Sequence, residues 1–203
     1  MGKWDKLATK SMIEKAVSAL KGNGIDVHVV DTGEEARKKV FEMIPEGTEL
    51  MNMTSATLEE TDIAKEIMDS GRFDSIRKKV YSTDGKIQER DRQKLRSSPE
   101  WAIGSANAVT EDGKVLFASG TGSQLPAYAY GSSRVIWVVG SQKIVKDVDE
   151  GTKRIYEYCL PLESERLRKA FGVPGSSVSK ILIINKERPG RITMILVKEK
   201  LGF

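Results

Sequence analysis

Apolar residues along the first quarter of the chain alternate between helical and strand-like spacing. Apolar positions three and four residues apart predict an opening helix that stops at Gly22-Asn23-Gly24. Residues 25–30 then have the pattern of a short strand, and a second helix begins at Thr32 and stops before Pro45. Residues 49–53 predict another strand, so the order is helix, strand, helix, strand.

The middle of the chain continues this alternation, with one ambiguous stretch. Residues 54–60 combine hydroxyl caps with carboxylates a few positions on, which predicts a helix that stops at Gly71. Residues 72–80 fit neither period. Residues 86–96 predict a charged helix, which ends at Ser98-Pro99 because the residue before a proline avoids the helical region.

The second half of the chain carries clearer strands. Residues 101–108 and 115–118 are apolar, and Glu111-Asp112-Gly113 between them has the Asp-Gly signal of a hairpin turn. A second hairpin is predicted at Glu187-Arg188-Pro189-Gly190. The remaining predicted elements are a strand at residues 134–139, helices at residues 124–130, 147–158 and 162–171, and the two hairpin strands at residues 180–185 and 191–197.

These elements define the expected fold class. Alternating strands and helices with buried apolar strands predict an α/β protein, in which helices cover both faces of a mainly parallel sheet. The late strands predict an antiparallel hairpin near the C-terminus. No internal repeat interrupts the 203 residues, and we expect one domain over residues 1–203.

The amino-acid composition limits the kinds of partner that we expect this protein to bind. Hydrophobic residues make up 39% of the chain and charged residues 31%, which is typical of a soluble protein with a solvated surface. The net charge of +4 arises from both signs mixed along the helices, so we expect no nucleic-acid partner. No apolar run is long enough for a membrane span and the N-terminus lacks a signal-peptide pattern, which predicts a cytoplasmic protein without a membrane partner.

The scarcity of cysteine and histidine limits the cofactors. Cys159 is the only cysteine and His28 the only histidine, so neither a zinc site nor a cysteine-ligated iron–sulfur cluster is expected from this chain alone. We therefore expect no metal and no intrinsic cofactor, with the identity of any other cofactor unknown.

Small polar residues concentrate between Gly104 and Gly140, at the ends of strand-like runs. Ligands of open α/β sheets bind at the carboxyl ends of strands, so this stretch is the expected site. The loop at residues 120–124 follows a strand and precedes a helix, a position where backbone N–H groups favour an anion. Glycine and hydroxyl residues in this position are equally typical of an ordinary turn and helix cap. The expected ligand contacts are Gly104, Ser105, Asn107, Thr110, Gly113, Gly120, Thr121, Gly122, Ser123 and Gln124.

Glu111 is the candidate catalytic residue in this stretch. A carboxylate at a strand end performs acid–base or nucleophilic work if burial moves its pKa towards neutrality. The adjacent Asp112-Gly113 more often only forms a turn.

Several segments resemble the LUD domain family, the lactate-utilization domain of LutC and YkgG type proteins. The central ones are residues 105–115, Gly120-Thr121-Gly122 and residues 130–147; residues 51–60, 160–167, 180–187 and 190–193 are also similar. The resemblance implies the three-layer α/β/α fold of the NagB/RpiA/CoA-transferase-like superfamily.

The superfamily resemblance implies chemistry at three positions. Glu111 has the place of the glutamate in the Glu-x-Gly turn with which CoA transferases attack a thioester. Asn107 stands where the sugar-phosphate isomerases have aspartate, and an amide cannot shuttle the proton of that reaction. Gly120-Thr121-Gly122 has the form of the loop that those isomerases use near phosphate.

Three functions are therefore open. The first is a non-redox component or anionic-metabolite binder in the utilization of lactate or another small organic acid, with iron–sulfur oxidoreductase subunits as partners. The second is a CoA-transferase-like or phosphosugar-type enzyme that uses Glu111. The third is a regulatory or assembly subunit without a small-molecule site. Whether the chain is catalytic, its ligand, its pathway and a homo-oligomeric state stay open.

Overall fold

The computed structural model describes residues 2–82 and 88–203. Its helices alternate with strands over most of this length, and none of those in the described ranges has the length and apolar character of a membrane span. The α-helices are α1 (Lys10–Gly22), α2 (Gly33–Met43), α3 (Ala56–Glu60), α4 (Ile63–Asp69), α5 (Ile76–Ser82), α6 (Glu89–Ser97), α7 (Val148–Arg154) and α8 (Leu160–Phe171). Short 3₁₀ turns span Lys3–Asp5 and Ser141–Lys143, and π-helical turns span Ala127–Gly131 and Ile155–Cys159.

The strands form two sheets. They are β1 (Asp26–Val30), β2 (Glu49–Asn52), β3 (Asp74–Ser75), β4 (Trp101–Gly104), β5 (Ala108–Thr110), β6 (Val115–Ser119), β7 (Arg134–Gly140), β8 (Ile144–Val145), β9 (Lys180–Ile184) and β10 (Ile192–Val197). The larger sheet has the order β1-β10-β7-β4-β2-β3 and all of its pairs are parallel. The smaller sheet has the order β8-β5-β6-β9.

Capping side chains explain where four of the helices begin. Thr9, Thr32, Ser55 and Asp147 each accept a hydrogen bond from a backbone N–H of the helix that follows. Such a cap satisfies one of the N–H groups that have no partner within the helix. The predicted helix starts at Thr32 and near Asp147 are thereby confirmed.

The core lies on both faces of the larger sheet, as the predicted three-layer fold requires. Val135 and Trp137 of β7 pack on the side of α1, whereas Ile136 and Val138 pack on the side of α2, α3 and α4. Alternate residues of a strand point to opposite faces, so a strand covered on both sides is apolar throughout. The α/β fold with a mainly parallel sheet between helices is confirmed.

The late antiparallel strand is present, but its partner differs from the expected one. β9 pairs antiparallel with β6, whereas β10 lies between β1 and β7 in the parallel sheet, so residues 180–197 do not form a hairpin. Five of the six residues of β10 are buried, whereas only Ile184 of the five residues of β9 is. A strand buried on both faces belongs in the centre of a parallel sheet, which explains the separation.

Other element boundaries also differ from the predictions. The predicted strand at residues 101–108 is two strands, because Asn107 hydrogen-bonds to β6 and turns the chain into the smaller sheet. The helix predicted from residue 54 to Gly71 is divided at Asp62, whose φ is 56°. Residues 72–80, ambiguous in sequence, form β3 and most of α5. The predicted helix at residues 86–96 is seen as α6, and residues 86 and 87 lie outside the described residues.

Gly24 should be essential where the end of α1 meets the turn before β10. Its φ is +82°, and a Cβ there would lie 1.9 Å from the backbone oxygen of Glu187. Gly24→Ala should therefore lower the free energy of unfolding by about 2 kcal/mol or more, measured by urea denaturation. Gly22→Ala is the matched control, because no atom lies within 4 Å of its added Cβ. Equal stabilities for the two variants would contradict this packing.

Candidate functional site

A cavity of about 490 Å³ lies where the carboxyl ends of β2 and β4 face the smaller sheet. Its walls come from the loops after these strands, from the loop after β6, and from α5, α6 and α8. The polar side chains that line it are Thr54, Ser55, Thr57, Glu59, Arg77, Tyr81, Arg96, Ser105, Asn107, Ser119, Thr121, Ser123, Gln124, Tyr128, Lys143, Glu163, Arg166, Ser176 and Ser177. We call it the central cavity.

Lys143 lies on the wall of the central cavity with almost no exposure to bulk solvent. The 3₁₀ turn after β7 places it there, and only 1% of the residue is exposed. Its Nζ donates hydrogen bonds to Thr57 Oγ1 at 2.9 Å and to Ser105 Oγ at 3.1 Å. Within residues 2–82 and 88–203, no carboxylate forms an ion pair with this amine. A buried cation ordinarily has such a partner, so the ammonium form of Lys143 has no balancing carboxylate among the described residues.

The surroundings of Lys143 favour its neutral amine. Burial, and to a lesser extent the nearby positive charge of Arg154, lowers the pKa of Lys143 to about 7. The electrostatic effects of Cys159 and Glu60 act in the opposite direction. Near neutral pH the residue is therefore divided between an ammonium, which attracts anions, and an amine, which can accept a proton.

The segment after β10 fixes the hydroxyl partner of Lys143. Thr57 Oγ1 donates to the backbone oxygen of Leu201 at 3.2 Å, and Gln142 Nε2 donates to the same oxygen at 2.9 Å. Gly140 permits this approach, since a Cβ there would lie 2.7 Å from the Leu201 nitrogen. The ends of β7 and β10 thus hold Thr57 and Lys143 in one hydrogen-bonded group.

A long helix with a π-helical turn forms the opposite wall. α7, the turn Ile155–Cys159 and α8 follow one another without a break, and the Leu160 N–H donates to the oxygen of Ile155. This corrects the two separate helices predicted at residues 147–158 and 162–171. Pro161 follows at once and has no N–H, so the wider turn accommodates it. π-helical turns are frequent at functional sites, and Ile155 and Cys159 both line the cavity.

Arg154 lies buried behind this wall. Its Nη1 donates to the oxygen of Asn107 and to Cys159 Sγ at 3.0 Å, while Nε and Nη2 are buried without a hydrogen-bond partner in the described chain. Burial lowers the pKa of Arg154 from its usual value. A guanidinium that stays charged here adds positive potential to the site of Lys143.

Positive charge exceeds negative charge around the central cavity. The charged residues that line it are Arg77, Arg96, Lys143 and Arg166 against Glu59 and Glu163. Arg166 is already held by Glu163 through Nε and Nη2, at 2.7 and 2.8 Å. Arg96 Nε is buried and, among the described residues, has no hydrogen-bond partner. The cavity therefore offers at least two cationic donors, on Lys143 and Arg96, without a carboxylate partner in the described chain.

The predicted loop at residues 120–124 does line the cavity, but its polar groups largely satisfy one another. Gly120, Thr121, Ser123 and Gln124 are at the wall, and Gly122 is not. The Gly122 N–H donates to Ser119 Oγ, and the Ser123 N–H donates to Thr121 Oγ1. The N–H groups of Gly122 and Ser123 thus donate to hydroxyls of their own turn. They are therefore less available to an anion than the sequence predicts.

The predicted residues at the end of β4 have different positions. Ser105 is beside Lys143, whereas Asn107 Oδ1 accepts a hydrogen bond from the Ala118 N–H and serves the smaller sheet. Gly104 does not line the cavity. A Cβ at Gly104 would lie 1.8 Å from the Tyr128 hydroxyl, so this glycine provides the space for a buried tyrosine of the wall.

Glu111, Thr110 and Gly113 lie outside the central cavity, at the end of β5 and in the turn that leads to β6. Glu111 Oε2 forms an ion pair with Lys15 Nζ of α1 at 2.7 Å. Gly113 has a φ of +81° and packs against the backbone of α1. These residues fasten the hairpin turn to α1.

The family is decided by the sequence match over nearly the whole chain. The family model described as the LUD domain matches residues 13–198. The chain belongs to the LUD domain family. No curated protein matches this LUD domain in sequence.

One solved structure supports the same fold. A crystal structure of a DUF162 family protein from Deinococcus radiodurans is similar to this LUD domain with a TM-score of 0.58 and 11% identity, over 95% of this chain and 99% of that chain. The eIF2B beta structure from Chaetomium thermophilum has a TM-score of only 0.41 at 17% identity, over 60% of this chain and 42% of that chain.

Sequence reasoning missed Lys143 and Arg96. Lys143 stands directly between two apolar strands, in Gly140-Ser141-Gln142-Lys143, and a lysine enclosed by such runs is a signal of burial that could have been used. Arg96 belongs to the charged helix predicted at residues 86–96, and no spacing distinguishes it from the other charged residues there. In the part of the chain that the structure describes, no cluster of three or more His, Cys, Asp or Glu side chains offers a metal site.

Lys143→Met should remove a pH-dependent component of stability. The pKa of Lys143 is about 7 in the folded protein and near 10.5 in an unfolded chain, so between these values the unfolded state binds more protons. The stability of the unmodified protein should therefore rise with pH across this window relative to the variant. Urea unfolding at several pH values measures the difference, with the exposed Lys146→Met as control. Parallel profiles for Lys143→Met and the unmodified protein would contradict a buried ionisable amine.

Proposed function

We propose that this LUD domain binds a small organic acid anion in the central cavity, as a non-redox component in the utilization of lactate or another small organic acid. The observation that carries the proposal is the amine of Lys143. It is buried on the cavity wall between two hydroxyl groups, and no carboxylate of the described residues pairs with it. A bound carboxylate would supply the missing negative charge.

The size of the cavity suits such a ligand. Pockets for small molecules have volumes of about 300 to 1,000 Å³, and the central cavity has about 490 Å³. Apolar side chains such as Met53, Phe117 and Leu167 share the wall with the charged residues. Such a lining covers the carbon skeleton of an organic acid while a few polar groups orient it.

Arg96 supports an anionic ligand independently of Lys143. Its Nε is buried without a partner among the described residues, and it comes from a different element, α6. A buried N–H donor that lacks an acceptor is costly to the free protein. A carboxylate bound beside Arg96 would balance the positive charge of its guanidinium, so binding of an anion is favoured.

The alternative centred on Glu111 has no support from the position of that residue. Glu111 lies in a turn against α1, paired with Lys15, and does not line the central cavity. A carboxylate that must attack a bound thioester has to reach the ligand. We therefore do not propose a CoA-transferase-like activity.

We assign any redox step to a separate iron–sulfur subunit. Oxidation of a hydroxy acid releases electrons that need an acceptor, and a cluster needs several thiolate ligands, whereas this sequence has one cysteine. The part left to this LUD domain is to bind the acid and, at Lys143, to accept a proton. A purified chain that carries its own iron–sulfur cluster would contradict this division.

Arg96→Gln should weaken the binding of lactate by about tenfold or more, because one charge-assisted hydrogen bond is worth about 1.5 to 3 kcal/mol. Isothermal titration calorimetry measures the change. Arg90→Gln is the matched control, since Arg90 is an exposed residue of the same helix. Lactamide, which has the same shape without the negative charge, should bind weakly to every variant.

The same titration should depend on pH in a defined direction. Lys143 gains its positive charge as the pH falls through about 7, so lactate should bind more tightly at low pH, down to the pKa of the acid itself. Equal affinity of Arg96→Gln and Arg90→Gln for lactate, or equal affinity of the unmodified protein for lactate and lactamide, would contradict the proposal.

A further inference from the structure

Lys143 has the surroundings of a nucleophilic amine as well as those of an anion site. Its two hydrogen-bond partners are hydroxyl groups, Thr57 Oγ1 and Ser105 Oγ, and neither holds a fixed negative charge that would keep the amine protonated. The guanidinium of Arg154, which is also buried, is close enough to act electrostatically on this amine. Desolvation and a neighbouring cation are the two means by which proteins prepare a lysine for attack on a carbonyl carbon.

We propose that Lys143 forms a Schiff base with a 2-oxo acid bound in the central cavity. This inference deepens the proposed function and rests on it, since the acid must first bind through its carboxylate. A carbonyl group next to that carboxylate is the feature that an amine on the cavity wall can use. The cationic side chain of Arg96 supplies a place for the carboxylate in the same cavity.

The reaction is balanced without any further reactant. The lone pair of Lys143 Nζ forms a bond to the carbonyl carbon, the carbon–oxygen π bond breaks, and a proton passes from nitrogen to oxygen to give a carbinolamine. The carbon–oxygen single bond then breaks, the oxygen leaves as water with a second proton, and the nitrogen forms the carbon–nitrogen double bond. The products are one imine and one water, and nothing is oxidised or reduced.

Ser105 is placed to relay the proton between nitrogen and oxygen. Its Oγ lies 3.1 Å from Lys143 Nζ and also lines the cavity, so it can accept from the amine and donate to a ligand oxygen. Thr57 is less suited to this transfer, because its hydroxyl already donates to the backbone oxygen of Leu201. The two hydroxyls therefore have different roles, Thr57 as a positioning residue and Ser105 as the relay.

Reductive trapping tests the proposal directly. The full-length protein is incubated with pyruvate and sodium cyanoborohydride, which reduces an imine to a stable secondary amine, and the modified peptide is identified by mass spectrometry. We expect the adduct on Lys143 in preference to the exposed Lys146, and its complete loss in Lys143→Arg. Ser105→Ala should slow adduct formation by about tenfold or more.

Controls separate this proposal from the function on which it rests. Excess lactate should block trapping without any substitution, and hydroxyacetone, a ketone without a carboxylate, should give far less adduct. Lactate binding in calorimetry with no adduct on Lys143 would overturn the Schiff base and leave the anion site intact. Absence of both binding and adduct would overturn the two together. An adduct spread equally over Lys143 and Lys146 would also overturn the proposal.

Discussion

The parallel pairing of β4, β7 and β10 is the constraint on which the site depends. Because these strands are neighbours that run in the same direction, their carboxyl ends lie at one edge of the sheet. Ser105 follows β4, Lys143 follows β7, and the segment with Leu201 follows β10. The hydrogen bonds among Lys143, Thr57, Ser105 and Leu201 are therefore a consequence of strand order. No local sequence motif contains all of these residues.

This arrangement places the amine of Lys143 where its positive charge is poorly solvated. Burial and Arg154 both oppose the ammonium form of Lys143, and the hydroxyls of Thr57 and Ser105 compensate only in part. Such a group destabilises the free protein when it is protonated, and a perturbed pKa of this kind is characteristic of functional sites. Arg96 has the same character, with a buried donor that the described residues leave unsatisfied. The carboxylate ligand that we propose would balance the positive charge of both groups.

The spacing of apolar residues predicts most of the architecture, but it does not predict which residues form the site. The spacing of apolar residues predicts α1, α2 and the buried strands, because burial on one or two faces leaves a regular pattern in the sequence. It could not separate β9 from β10, since a turn at residues 187–190 fits a hairpin and a change of sheet equally well. Ser105 was found because it is polar at a strand end. Glu111 has the same sequence signal, but its turn packs against α1, a contact between residues far apart in the chain.

The central claim is that Lys143 is a buried amine whose missing partner is a bound carboxylate. The most direct test is a pH titration of the Lys143 side chain by NMR, assigned by comparison with Lys143→Met, without and with lactate. This account predicts a midpoint near the pKa of about 7 in the free protein and a higher midpoint when lactate is bound, because the anion stabilises the ammonium. A midpoint at the ordinary lysine value in the free protein, or one that lactate does not move, would contradict it.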